Sequence, residues 1–176
     1  MADIHVHETL DRIDYISVFL YRLGFIISAL LIAALGLAPW VDLPTLKLIN
    51  LIAYSALLSA CCVHLYDKTI RWLLLGASLF AMLWLQFEIW PQLALGASLV
   101  TLCGLSIKEY YCFRIQLIRI TPLVLVGFWL SFALLPWLWL QLIFACLSSL
   151  LLMMIGIAKF KQPFDYDIGD KSKFQI

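Results

Sequence analysis

"VFLYRLGFIISALLIAALGLA", residues 18–38, decides the fold class. It carries one charge, Arg22, in an otherwise apolar run. As a helix its 21 residues reach about 31 Å, the thickness of a bilayer's hydrocarbon core. Apolar side chains fall on every face, with no period-two alternation, which favours a membrane helix over a barrel strand because a helix satisfies its own backbone. Five further runs follow, at residues 46–66, 72–88, 92–107, 122–135 and 137–158. The fourth and fifth are short and call for local thinning or added interfacial turns.

Composition agrees. Of 176 residues, 64% are hydrophobic and 13% charged, with a mean hydropathy of +0.99. Soluble domains carry about a quarter charged residues, so lipid is the solvent for most of this chain. Net charge is only +1, which gives no field to attract nucleic acid. The five cysteines include no Cys-x-x-Cys, and an odd count suits a reducing compartment, with thiols buried or facing the cytoplasm. The first fifteen residues are mixed and acidic rather than basic, unlike a signal peptide.

Tryptophan and charge predict a direction. "APW" (residues 38–40), "WP" (90–91) and "PWLW" (136–139) mark three turns at one headgroup boundary, and Pro44, Pro91, Pro122 and Pro136 sit near span starts. Lys47 is the one basic residue on that side. Arg12, Arg22, Lys68, Arg71, Lys108, Arg114, Arg119, Lys159, Lys161, Lys171 and Lys173 lie on the other. The positive-inside bias therefore predicts an all-α, six-helix membrane bundle with both termini cytoplasmic. Its parts are an N-terminal tail (1–17), a transmembrane domain (18–158) with an interfacial segment (108–120), and a C-terminal tail (159–176).

The spans offer no obvious relay. Arg22 is expected to snorkel to the headgroups, and Glu88 lies near the outer boundary. Asn50, Tyr54, Ser55, Gln86, Gln141, Ser148 and Ser149 supply modest polarity for helix–helix hydrogen bonds. That argues against an ion-driven transporter and leaves a carrier of neutral or amphipathic solutes open. Gly76, Ser78, Gly96 and Ser98, in the echoing "LLLGASLF" and "LALGASLV", would let the third and fourth helices approach closely. Metalloprotease, nucleophile-elbow and phosphate-loop signatures are missing from the sequence, and Asp167 and Asp170 read as a solvated acidic turn.

A polar stretch interrupts the apolar runs at "KEYYCFRIQLIRI", residues 108–120. An unbroken helix from Gln92 to Ile120 would span about 43 Å, so a bend is expected after Lys108 or Phe113. Phe113, Ile115, Leu117, Ile118 and Ile120 would then enter lipid while Arg114 and Arg119 meet anionic inner-leaflet headgroups. Glu109 shares a helix face with Cys112, and "CCVHLYDK" places Cys61 and His64 three apart at the same boundary. His64, Glu109, Cys112, Lys108, Arg114 and Cys61 form the candidate site. His64, Cys112 and Glu109 are possible metal ligands; alternatively Lys108 or Arg114 would activate the Cys112 thiol. The structural alternative pairs Glu109 with an arginine, caps a helix end with His64 and packs the cysteines as small hydrophobes. His5 and His7 are too few to close a metal site.

"KEYYCFR", residues 108–114, resembles a motif of domain-of-unknown-function family 2301, a family of bacterial integral membrane proteins. "HLYDK", residues 64–68, is similar to that family's His-x-Tyr-x-Lys span ending. Tyr111 stands where phenylalanine is expected. The resemblance in spacing and hydropathy runs from about the first span to the last and implies no activity, cofactor or substrate. Three classes follow: an assembly protein docking a partner at the cytoplasmic face through Phe160, Phe164, Tyr166 and Phe174; a metal- or redox-active protein; and a small transporter.

Overall fold

The computed structural model describes residues 10–113, 115–135 and 137–168, and every regular element within them is helical. Six longer helices appear: α1 (Arg12–Val41), α2 (Thr45–Cys61), α3 (Lys68–Leu85), α4 (Pro91–Phe113), α5 (Thr121–Ala133) and α6 (Leu138–Phe160). A single-turn α7 (Asp165–Ile168) follows. Each of the six overlaps one expected apolar run. By length and composition α1, α3, α4, the segment Gln116–Ala133 and α6 can each cross a membrane, while α2 is apolar but only 17 residues long. Large apolar side chains such as Leu30, Leu83, Leu123 and Leu150 face outward, so the bundle's exterior is hydrocarbon.

Local chemistry sets the helix ends. Pro91 opens α4 and Pro122 lies in the first turn of α5, where a missing N–H breaks no helical bond. Asp67 caps α3, its Oδ1 accepting from the Ile70 N–H at 3.1 Å. α1 runs through Pro39 and stops at Asp42, whose φ of 51° turns the chain left-handed. Pro136 lies outside the described residues.

In cross-section α1, α2, α4, α5 and α6 close a ring, with α3 seated outside on α2 and α4. Short polar side chains join the helices. Ser28 and Ser55 lie 2.8 Å apart between α1 and α2, and the Ser59 hydroxyl donates to the Tyr21 carbonyl at 3.3 Å. Gly24 makes that approach possible, because a Cβ there would meet Ser59 Oγ and lie 3.1 Å from the Ser55 carbonyl. Of the other polar span residues, Gln141 reaches the Leu35 carbonyl, whereas Asn50 and Gln86 bond within their own helices.

Of the small residues expected to bring α3 and α4 together, Ser78 does so and the glycines Gly76 and Gly96 do not. Gly76 faces open space, and Gly96 lies beneath Trp129 of α5. The two helices instead meet where Ser78 and Thr101 hydroxyls lie 2.9 Å apart and Gly104 receives Leu74. Both faces of these helices are apolar, so small residues alone do not reveal which face is packed.

The two ends differ in character. Trp40 and Trp139 rings lie 5.7 Å apart, joining the end of α1 to the start of α6. At the opposite end α4 stops at Phe113, and a 3₁₀ turn (Gln116–Ile120) leads into α5, which breaks the over-long helix as the length argument requires. Ile118 does not enter lipid. It is fully buried, because the 3₁₀ turn folds back on α4 and α5.

Candidate functional site

The charged end holds a network of five ionic side chains and a phenol. Glu109, near the end of α4, is fully buried. Its Oε1 accepts from the Tyr21 hydroxyl at 2.5 Å and from Lys108 Nζ at 3.1 Å. Its Oε2 pairs with Lys159 Nζ at 2.9 Å. Lys159, at the end of α6, also pairs with Asp167 on α7. Arg22 completes the chain, with Nε donating to Asp167 Oδ2 at 2.7 Å. Its two terminal nitrogens donate to the Gln162 and Pro163 carbonyls, each at 2.9 Å.

Aromatic rings seal these charges. Lys108 Nζ lies 4.5 Å from the Tyr21 ring centre, and the Arg22 guanidinium 4.5 Å from that of Phe164. A cation over an aromatic face gains from the ring quadrupole where water is excluded. Among the described residues three cations and two carboxylates meet here, a net charge of +1.

Several expectations are corrected by this geometry. Arg22 does not snorkel: it is fully buried, because Asp167 and two carbonyls satisfy it inside the protein. Asp167 is not solvated: it is 5% exposed, drawn in by Arg22 and Lys159. The described partners of Glu109 are lysines and a tyrosine rather than an arginine. Lys159 and Phe160 belong to α6 rather than to a tail. Phe160 packs on Phe19 and Phe164 on Tyr15, so these tail rings rest on α1. Sequence reading missed this cluster as a unit. The available signal was Arg22 inside one apolar run and Lys159 directly after another, since unpaired charge there is costly.

Beside the network lies a partly enclosed cavity of about 280 Å³. His64 and Tyr66, from the α2–α3 connection, line it together with Lys108 and Cys112 of α4. Tyr166 and Asp167 of α7 form another part of the wall. The two clusters picked out in the sequence therefore meet across one cavity. Glu109 stands behind Lys108 rather than in the lining, Cys61 is exposed and outside it, and Arg114 lies outside the described residues, as do His5, His7, Asp170, Lys171, Lys173 and Phe174.

Among the described residues no three His, Cys, Asp or Glu side chains converge on a point that would hold a metal ion. All five cysteines are free thiols, and Cys146 is exposed on α6 rather than buried. The lining offers a lysine, a carboxylate already paired inside the cluster, an imidazole, a thiol, several phenols and apolar side chains, a set suited to binding.

A family model described as "Uncharacterized integral membrane protein (DUF2301)" matches residues 87–176, from the α3–α4 turn onward. That match contains the "KEYYCFR" stretch but not "HLYDK". An uncharacterized protein of Haemophilus influenzae is 37% identical over 176 residues, covering 100% of both chains. No solved structure matches.

Proposed function

The chain belongs to the uncharacterized integral membrane proteins of family DUF2301, and from that premise we propose a six-span protein of the bacterial inner membrane that binds a small molecule at its cytoplasmic end. It is a multi-pass integral membrane protein of a family without a known activity. The orientation, with both termini cytoplasmic and α2 as a sixth span, is supported by the eleven-to-one division of basic residues.

One observation carries the binding reading: His64, Lys108, Cys112 and Asp167, from three separate segments, line a single cavity against the buried charge cluster. Concave, mostly apolar pockets with a few convergent polar groups are the usual form of small-molecule sites. Of the tail aromatics, Phe160 and Phe164 touch rings of α1 and Tyr166 lines the cavity, which ties these three to the bundle and to the binding reading.

Two measurements test the reading. A membrane-impermeant maleimide should modify Cys112 in inside-out vesicles and leave it unmodified in spheroplasts; the reverse pattern overturns the orientation. Protein extracted in mild detergent should carry a small-molecule adduct by native mass spectrometry, lost on the cavity-filling change Ile107→Trp. Wild type and Ile107→Trp with identical spectra would refute occupancy.

A further inference from the structure

We infer that the cavity at the charged end takes a small monoanionic amphiphile, a single carboxylate on a short apolar body, with Lys108 as its charge partner. The inference deepens the binding reading above and rests on it. It begins with charge balance. Arg22, Lys108 and Lys159 contribute three positive charges to one cluster, and Glu109 and Asp167 two negative ones. Buried ions persist when they are paired, and among the described residues this cluster is one anion short.

The position of the excess is defined by access. Arg22 is enclosed by Asp167 and two backbone carbonyls, and Lys159 is held between Glu109 and Asp167. Both are at most 1% exposed. Lys108 differs: its side chain is 13% exposed, it lines the cavity, and Glu109, the carboxylate it pairs with among the described residues, is already engaged by Tyr21 and Lys159. Asp167 also lines the cavity, but its two oxygens face Arg22 and Lys159, which offset its charge toward an incoming anion.

The rest of the lining selects an amphiphile. Leu65, Ile70, Ile107 and Ile168 supply aliphatic lining, and Tyr66, Tyr111 and Tyr166 bring rings with polar tips. A volume of about 280 Å³ sits at the lower edge of the roughly 300–1,000 Å³ typical of small-molecule pockets. That volume matches one short chain. One unit of excess charge favours a carboxylate over a doubly charged phosphate.

Cys112 gives a direct readout, because it lines the cavity and is accessible, while exposed Cys61 and Cys146 lie outside it. The full chain in nanodiscs is alkylated with iodoacetamide in the presence of octanoate, octanol or octylamine, and each thiol is quantified by peptide mass spectrometry. Octanoate should protect Cys112 at a concentration about tenfold below octanol, the factor expected from one charge-assisted contact. Octylamine should protect least, and Cys61 and Cys146 should keep their rates. Lys108→Gln should erase the preference for octanoate, and Lys108→Arg should retain it. Equal protection by octanoate and octanol overturns the anionic assignment while the binding reading stands. Lack of protection by any of the three overturns both.

Discussion

Arg22 on α1 and Asp167 on α7 stand 145 positions apart and form a fully buried ion pair, with Nε donating to Oδ2 at 2.7 Å. The pair ties the last described turn of the chain to its first helix. Removing one member strands the other, which typically costs about 3–5 kcal/mol. Asp167→Ala should therefore lower the unfolding midpoint in detergent substantially. Arg22→Leu combined with Asp167→Leu should lose less than the two single changes added together. Strict additivity would show that the two groups do not share an interaction.

Glu109 is the hub on the α4 side, which ranks two substitutions. Tyr21→Phe removes one hydrogen bond to a charged acceptor, worth about 1.5–3 kcal/mol, and leaves both lysines paired. Glu109→Gln leaves Lys108 and Lys159 facing a neutral amide and should cost more. Equilibrium unfolding of both variants decides the order. A Tyr21→Phe loss equal to that of Glu109→Gln would remove the carboxylate from its central place.

Helix number and some helix starts were legible because each depends on nearby residues. The ends were not, since α2 stops at Cys61 short of residue 66, α3 begins at Lys68 behind its Asp67 cap rather than at 72, and α4 runs on to Phe113. A run such as 18–38 announces a span by length and apolarity, and Pro91 marks a start because its missing N–H breaks no helical bond. Half of the site was legible for the same reason: His64, Lys108 and Cys112 sit at boundaries that topology places together, and they line one cavity. The pairing of the charges was not legible. Tyr21 meets Glu109 across 88 positions, and which face of α1 turns inward is invisible when both faces are apolar. In a soluble helix the polar face would have supplied that information. Asp167 was misread because its four-residue helix follows a polar turn, and only Arg22 and Lys159, far off in sequence or on another helix, reveal that it is drawn inward.

Truncation after Phe160 probes the same end from the other direction. It removes Asp167 and the Gln162 and Pro163 carbonyls, and with them every described polar partner of the Arg22 guanidinium. It also removes Tyr166 and Ile168 from the cavity wall. The truncated protein should be less stable than Asp167→Ala, and its Cys112 should alkylate faster while Cys146 does not change. An unaltered Cys112 rate would mean that α7 does not cover the cavity.

Two glycines separate close packing from composition. At Gly24 a methyl group would press on Ser59 Oγ and come within 3.1 Å of the Ser55 backbone carbonyl, which cannot move without α2. Gly24→Ala should cost about 1–3 kcal/mol, the usual range for overpacking. At Gly76 a Cβ meets nothing within 4 Å, so Gly76→Ala adds no clash and restricts the unfolded backbone. It should be neutral or stabilising by up to about 1 kcal/mol, the difference between glycine and alanine inside a helix. Thermal unfolding of the two variants in one detergent measures both effects. Comparable destabilisation at the two sites would place Gly76 in a helix contact and contradict the packing of α3 described above.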